Sequence, residues 1–209
     1  MDIAKKLYNK GVSYRKIAKE LNIHHTTVMY WKKNNFSCNN KSDDDFNEII
    51  KKKHEYSYIL GLYLGDGYIN EVKNTYRLRL FMDTKYTKII SETMYCFEKL
   101  FNRKPSTNKI KETTTVISLY SNILDKLFPH LGVGKKHKRK IELLEWQKNI
   151  IIPEQIIKGL IQSDGCYYNS NGYDYYNFTN FSNDILDIYE FYLKELKIEY
   201  TRTKNKINQ

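Results

Sequence analysis

Asp66 and Asp164 stand at the same place in two copies of one frame, and they are the residues of this chain best placed to do chemistry. The first copy runs Tyr58-Ile59-Leu60-Gly61-Leu62-Tyr63-Leu64-Gly65-Asp66-Gly67-Tyr68 and the second Ile156-Ile157-Lys158-Gly159-Leu160-Ile161-Gln162-Ser163-Asp164-Gly165-Cys166. Both share apolar residues, Gly, Leu, two variable positions, a small residue, Asp and Gly, and corresponding positions lie 98 residues apart. Each copy reads as a short apolar helix that Asp-Gly ends, with the glycine as cap and an aromatic-rich strand following. Gly61, Gly65, Gly159 and Ser163 are spaced four apart, on one face of each helix, where small residues let two backbones approach. Helices packed in this way bring Asp66 and Asp164 together at their C-terminal ends. There the helix dipoles and two carboxylates attract a divalent cation, Mg²⁺ or another. No Ser-His-Asp or Cys-His arrangement competes for the role, and Gly65-Asp66-Gly67 lacks the Lys-Ser/Thr of a phosphate-cradling loop.

The elements that must position the pair follow from the spacing around them. Tyr68-Ile69 and Tyr76 to Met82 read as a hairpin around Lys73-Asn74, with Arg77 and Arg79 opposite Leu78 and Leu80. Thr87 to Phe101 reads as a helix, Thr107 to Lys111 with Thr115 to Tyr120 as a second hairpin, and Asn122 to Leu131 as a closing helix. In the second half Cys166 to Tyr168 and Tyr173 to Phe181 supply a hairpin, Asn183 to Leu196 a helix and Ile198 to Thr203 a third strand. Only 45 residues follow Asp164, against 66 from Asp66 to Gly132, so the second half reads as short. The two halves are joined by Gly134-Lys135-Lys136-His137-Lys138-Arg139-Lys140, a basic stretch whose Lys135 and Lys136 suit phosphate contact.

The first 35 residues form a separate unit of three apolar bursts divided by turn signals. Ile3, Ala4 and Leu7 end at Gly11; Ser13 caps a helix carrying Ile17, Ala18 and Leu21; Asn22-Ile23 turns into a third helix with Val28 and Trp31. Eight basic residues against Asp2 and Glu20 give this unit a charge of +6. Its adjacent His24 and His25, with no cysteine nearby, read as exposed helix-start residues rather than metal ligands. Residues 36–53 read as a polar, turn-rich linker in which Asp43 to Asp45 are solvated.

Composition sets the setting. The 209 residues carry 35 Lys+Arg against 24 Asp+Glu, a net +11, which suits a polyanionic partner. A mean hydropathy of -0.67 with no long apolar run excludes a membrane span. Cys38, Cys96 and Cys166 form neither a disulfide framework nor a zinc pattern, and Met1 to Lys6 lacks the apolar core of a signal peptide. An intracellular, soluble, non-secreted protein is expected.

The two motifs, Leu60 to Gly67 and Lys158 to Gly165, resemble those of a two-motif, single-chain LAGLIDADG homing endonuclease. The run Ser13 to Ile23 followed by Thr26-Thr27-Val28 resembles the helix-turn-helix modules of resolvases and homeodomain-like regulators. The segment Phe128 to His137, followed by Trp146-Gln147, is similar to bacterial and phage helix-turn-helix proteins with LAGLIDADG-like domains. The resemblance implies an α+β fold: a pseudo-symmetric pair of αββαββα repeats after a small helix-turn-helix domain. The domains are then 1–35, a linker 36–53, a first repeat 54–134, a basic connector 135–152 and a shortened second repeat 153–209.

The family binds its catalytic metals through the final acidic residue of each motif, which falls on Asp66 and Asp164; the sixth motif position, acidic in the family's name, is Leu64 and Gln162 here. The implied activity is site-specific hydrolysis of double-stranded DNA by two or more Mg²⁺ ions that activate water and stabilise the leaving 3′-oxygen. Lys111 is the candidate basic residue for the phosphorane, with Lys204 or Lys206 as partners. The sheets imply a saddle in the major groove, so Tyr76, Arg77, Arg79, Lys109 and Lys111 point to DNA. From the third helix His24, His25, Thr26, Tyr30 and Lys33 face base edges or phosphates. The expected particle is a monomer with an internal pseudo-two-fold axis. Two other functions share the same resemblance: a non-cleaving sequence-specific regulator on a LAGLIDADG scaffold, and an RNA-binding splicing factor.

Overall fold

The structure is a computed structural model that describes residues 2–33, 35–36, 41–132 and 134–203. The chain divides into two units, Met1–Lys41 and Ser42–Gln209, each with its own core.

The first unit holds α1 (Asp2–Asn9), α2 (Tyr14–Glu20) and α3 (His25–Lys33). Each helix is too short to persist in water, so its stability comes from the shared core of Ala4, Ile17, Ala18, Val28 and Phe36. Gly11 sits at φ +78°, the left-handed turn expected between α1 and α2, and Asn22 takes the same region at φ 52° between α2 and α3. Ser13 occupies the N-cap of α2 in extended backbone, without a side-chain hydrogen bond to the helix.

The second unit is a mixed α+β structure. Its order is α4 (Lys41–Lys51), α5 (Lys53–Leu64), β1 (Gly67–Val72), β2 (Thr75–Asp83), α6 (Thr87–Phe101), β3 (Ser106–Lys111), β4 (Thr114–Ser121), α7 (Leu124–Leu127), a 3₁₀ turn (Lys136–Lys138), α8 (Glu145–Ile150), α9 (Pro153–Asp164), β5 (Gly165–Ser170), β6 (Tyr173–Phe178) and α10 (Asn183–Glu195). Two antiparallel sheets result, one of order β1-β2-β4-β3 and one of β5-β6. Strand alternation turns Leu78, Leu80, Ile117 and Leu119 onto a core shared with α5, α6, α9 and α10. Among the described residues no helix is long and apolar enough to cross a membrane.

Helices α5 and α9 lie backbone against backbone. A Cβ on Gly61 would stand 2.4 Å from the Ile156 carbonyl oxygen, and one on Gly159 would stand 2.4 Å from that of Tyr58. The small-residue spacing in the two motifs is therefore a packing device. Nearly every side chain of α5 from Tyr56 to Leu64 is buried, which is why the sequence there is apolar all round rather than amphipathic.

Three expectations need correction. The segment read as a linker contains α4, because Phe46, Ile49 and Ile50 fall at helical spacing and pack onto the core of the second unit; residues 37–40 lie outside the described residues. The closing helix read over Asn122 to Leu131 is the single turn α7, since Pro129 cannot continue a helix. No strand forms over Ile198 to Thr203: this stretch folds back along α10, where Arg202 Nη1 meets Asp187 Oδ1 at 2.6 Å and Glu190 Oε1 at 3.0 Å.

Candidate functional site

The site grows from the ends of α5 and α9. Gly65 caps α5 by donating its N–H to the Gly61 carbonyl (3.2 Å), and Asp66 follows; α9 ends on Asp164 itself, with Gly165 as its cap. The glycines after the acids are needed for closeness rather than for left-handed backbone, since Gly165 has φ -91°. A Cβ on Gly67 would lie 2.4 Å from Tyr63 Cα, and one on Gly165 would lie 2.5 Å from the Ile161 carbonyl. Both strands thus start directly against the last turn of the helix before them, and each Asp is held at that corner.

The two carboxylates share one neighbourhood. A Cβ on Gly65 would come within 3.1 Å of Asp164 Oδ2, so the Asp164 carboxylate lies against the backbone that leads into Asp66. Crowding by protein, then the Asp164 charge, raises Asp66 to about 6 against the pull of Lys136. Burial also raises Asp164, opposed by a hydrogen bond from Asn180 Nδ2 to Oδ2 (2.6 Å) and by Lys136. Gln162, at the sixth motif position, has a structural partner: Tyr58 Oη donates to its Oε1 at 2.5 Å.

The third member of the group is Lys136. Its Nζ donates to the carbonyl oxygens of Tyr63, Leu64 (3.1 Å) and Gly65 (2.7 Å), and it stands 4.9 Å from the centre of the Tyr63 ring. An ammonium at a helix C-terminus is favoured by the orphan carbonyls and the dipole. Desolvation pushes Lys136 down to about 7, while Asp164 and Asp66 pull the other way. Nearby, Arg139 Nη1 donates to the carbonyls of Gly132 and Gly134 (3.3 Å for the latter), which fixes the connector over the site. Together these residues border an open cleft of about 860 Å³, which Tyr68, Asn180 and the exposed ring of Phe181 also line.

The sequence-predicted residues separate on this geometry. Asp66 and Asp164 come together. Lys135 stays exposed at the rim, but Lys136 turns inward instead of lying on a phosphate-facing surface, because the α5 carbonyls hold it. Lys111 is not among the residues that line the cleft; it is exposed at the end of β3, and the basic group beside the acids is Lys136. Lys204 and Lys206 lie outside the described residues. Among the described residues no group of three or more His, Cys, Asp or Glu is assembled to hold a metal, so the acidic donor set is this pair. Lys136 is expected on phosphate and lies instead beside the acids, while Arg139 and Asn180 carry no sequence expectation as site residues; no local signal in a run of five Lys and Arg with His137 among them distinguishes the lysine that turns in.

The outer face of the four-stranded sheet carries Arg77 and Arg79. Arg79 stacks 5.1 Å from the Tyr68 ring centre and donates to Asn70 Oδ1 (3.2 Å); Arg77 lies 5.2 Å from Tyr120 and donates to Ser118 Oγ (3.1 Å). Both guanidiniums are thereby pre-set on one face. Tyr76 is corrected: one residue from Arg77, it takes the opposite face and packs on the core. Lys109 pairs with Thr115, in the row of Met82 on the core side, so it does not share the arginine face; a bulge between Lys109 and Lys111 returns Lys111 to the row of Thr114 and Asp83.

In the first unit, Thr26, Tyr30 and Lys33 are exposed along one side of α3. His24 Nδ1 accepts from the Thr26 N–H (3.4 Å) and lies 2.7 Å from Thr26 Oγ1, so this exposed ring caps α3, with the half-buried His25 ring 4.4 Å from it.

Comparison with known families finds two local matches. Residues 153–209, which take in α9, Asp164, β5-β6 and α10, match the family described as "LAGLIDADG-like domain". Residues 2–37 match the family described as "Putative ATPase subunit of terminase (gpP-like)". Each match covers well under half of the chain, and the segment carrying Asp66 is in neither. No curated protein matches the chain.

Proposed function

We propose that this protein is a metal-dependent endonuclease of double-stranded DNA, built on two repeats of which the second is short and guided by a helix-turn-helix formed by α2 and α3. The carrying observation is the meeting of Asp66 and Asp164 in one cleft with Lys136 and Arg139, beside a sheet face that presents Arg77 and Arg79. The LAGLIDADG-like match over the second motif supports a nuclease or DNA-binding role, and the net charge of +11 supports a polyanionic partner.

The donor chemistry fits Mg²⁺ or a similar ion. Magnesium takes hard oxygen ligands, often one or two carboxylates completed by substrate phosphate, and two carboxylates crowded enough to raise Asp66 gain by sharing a cation. When bound, such an ion would lower the pKa of a water and stabilise the leaving oxygen. The chain's own residues do the rest. Asp66 and Asp164 would hold and orient the ion, whose charge would offset the crowding that raises Asp66 in its absence. Lys135, exposed at the rim, attracts the phosphate backbone. Arg77 and Arg79 offer guanidiniums to base edges, and Thr26, Tyr30 and Lys33 offer a second contact from α3.

One observation favours a second reading. Lys136 already brings positive charge to the acidic pair, which suits a DNA-binding regulator that keeps the scaffold and does not cut. The test is to select binding sites from random duplex DNA, place them on a plasmid and add Mg²⁺ or Mn²⁺. The nuclease reading expects cleavage that Asp66→Asn and Asp164→Asn abolish while binding stays within about threefold. Binding without cleavage under either ion overturns it in favour of the regulator.

A further inference from the structure

The two halves of the acidic centre are built differently. At the end of α5 the carbonyls of Tyr63, Leu64 and Gly65 all accept from one Nζ, and three acceptors match the three N–H bonds of a protonated amine. At the end of α9 the described residues place no lysine in this way. Instead Asn180 holds Asp164 Oδ2, and Ser163 Oγ turns back to the carbonyls of Gly159 (3.1 Å) and Leu160 (2.9 Å).

An ammonium on main-chain oxygens beside a carboxylate does what a metal ion would do there: it satisfies hard oxygen donors and offsets negative charge. We propose that the Lys136 ammonium is a built-in cation of the Asp66–Asp164 pair, closing the α5 side, so that the centre takes one divalent ion per chain and not two. This rests on the metal reading above. The Gly65 carbonyl, the oxygen next in the chain to Asp66, is already engaged at 2.7 Å, which leaves the Asp66 carboxylate and the Asp164 oxygen that Asn180 does not hold as the open donors. The charge count agrees: Asp66 and Asp164 share the cleft with Lys135, Lys136 and Arg139, so the lining already carries one net positive charge, and a second divalent ion would be set against it.

The experiment is a titration of the full chain with Mn²⁺ alone, following free ion by electron paramagnetic resonance. The expected result is one Mn²⁺ on the wild type, weakened at least tenfold in Asp164→Asn, with either a second ion or at least tenfold tighter binding in Lys136→Met. Two ions on the wild type overturn the proposal, as does a Lys136→Met protein that matches wild type in number and affinity. An ion on Lys136→Met but none on the wild type also overturns the one-ion count and makes the lysine the full occupant. No ion on either protein overturns the metal reading itself, and the inference falls with it. Since Lys136→Met strips α5 of its donor, Lys136→Gln, which keeps an N–H donor without the charge, is measured alongside. A wild-type count of two overturns the proposal even if both variants misfold, and a Lys136→Gln protein that folds and matches wild type in number and affinity overturns it as well.

Discussion

Lys136 Nζ donates at 2.7 Å to the carbonyl oxygen of Gly65, the residue immediately before Asp66. The contact spans 71 positions of chain and brings the basic connector onto the end of the first motif helix. It turns a pair of like-charged carboxylates into a three-group centre, and the behaviour of Asp66 follows from that setting.

Asp66 should weaken the fold at neutral pH. A native pKa of about 6, above the ordinary 3.8, means the folded chain holds this proton more tightly than the unfolded one. The stability from this group is therefore full below the ordinary value and is lost as pH rises through about 6. Because the carboxyl opens onto solvent in the cleft, screening reduces the effect to about 1 kcal/mol. Asp66→Asn is expected to melt a few degrees higher than wild type at pH 8 and no higher at pH 4, by thermal denaturation at both values.

Backbone contact between α5 and α9 leaves no room for a methyl group. Gly159→Ala would drive a Cβ to 2.4 Å from the Tyr58 carbonyl and 2.8 Å from the Leu62 nitrogen. The expected cost is about 2 kcal/mol or more, despite the roughly 1 kcal/mol that alanine gains over glycine in a helix. A urea melt measures it; an unchanged midpoint would contradict the close packing.

Guanidinium geometry on the β2 face should matter beyond charge. Arg79→Ala is expected to weaken DNA binding about tenfold, and Arg79→Lys should not restore it, because an ammonium cannot reproduce the fork that reads a guanine edge. Full recovery by lysine, seen in a fluorescence anisotropy titration at fixed salt, would assign Arg79 to phosphate contact instead.

The separate cores predict separable folding. A fragment of residues 42–209 should melt cooperatively close to the second transition of the full chain, since its core contains none of Ala4, Ile17, Ala18, Val28 or Phe36. Its DNA affinity should fall by about 100-fold and its salt dependence should flatten as the contacts of the +6 unit are lost. Calorimetry and a salt series check the two halves of this expectation.

Much of the second unit was legible from local pattern. Helix α6 begins and ends where its apolar spacing predicts, at Thr87 and Phe101, and the β1-β2 turn falls on Lys73-Asn74, with Lys73 in left-handed backbone at φ 55°. Other features resisted for identifiable reasons. The polar Asp43 to Asp45 masked a helix whose signal is three apolar residues, Phe46, Ile49 and Ile50, that gain meaning only against the core. Tyr76 and Arg77 cannot share the DNA-facing side, because adjacent strand residues alternate and Tyr76 packs on the core. Lys109 and Lys111 share a face by spacing, and only the bulge separates them.

Residue order alone placed the two acids at the ends of two helices that must touch. Apolar period, small residues four apart and the breaking Asp-Gly are all properties of a few consecutive residues, and short-range sterics enforce them wherever the chain goes. Which cation faces the acids is a different kind of fact. The four lysines among residues 135–140 are equivalent as sequence, and Lys136 is chosen because the connector, pinned by Arg139 to Gly132 and Gly134, passes the C-terminal end of α5, whose last carbonyls lack helix partners. Closing that distance depends on the packed positions of α5 and the 3₁₀ turn, so the cation beside the acids was decided in three dimensions.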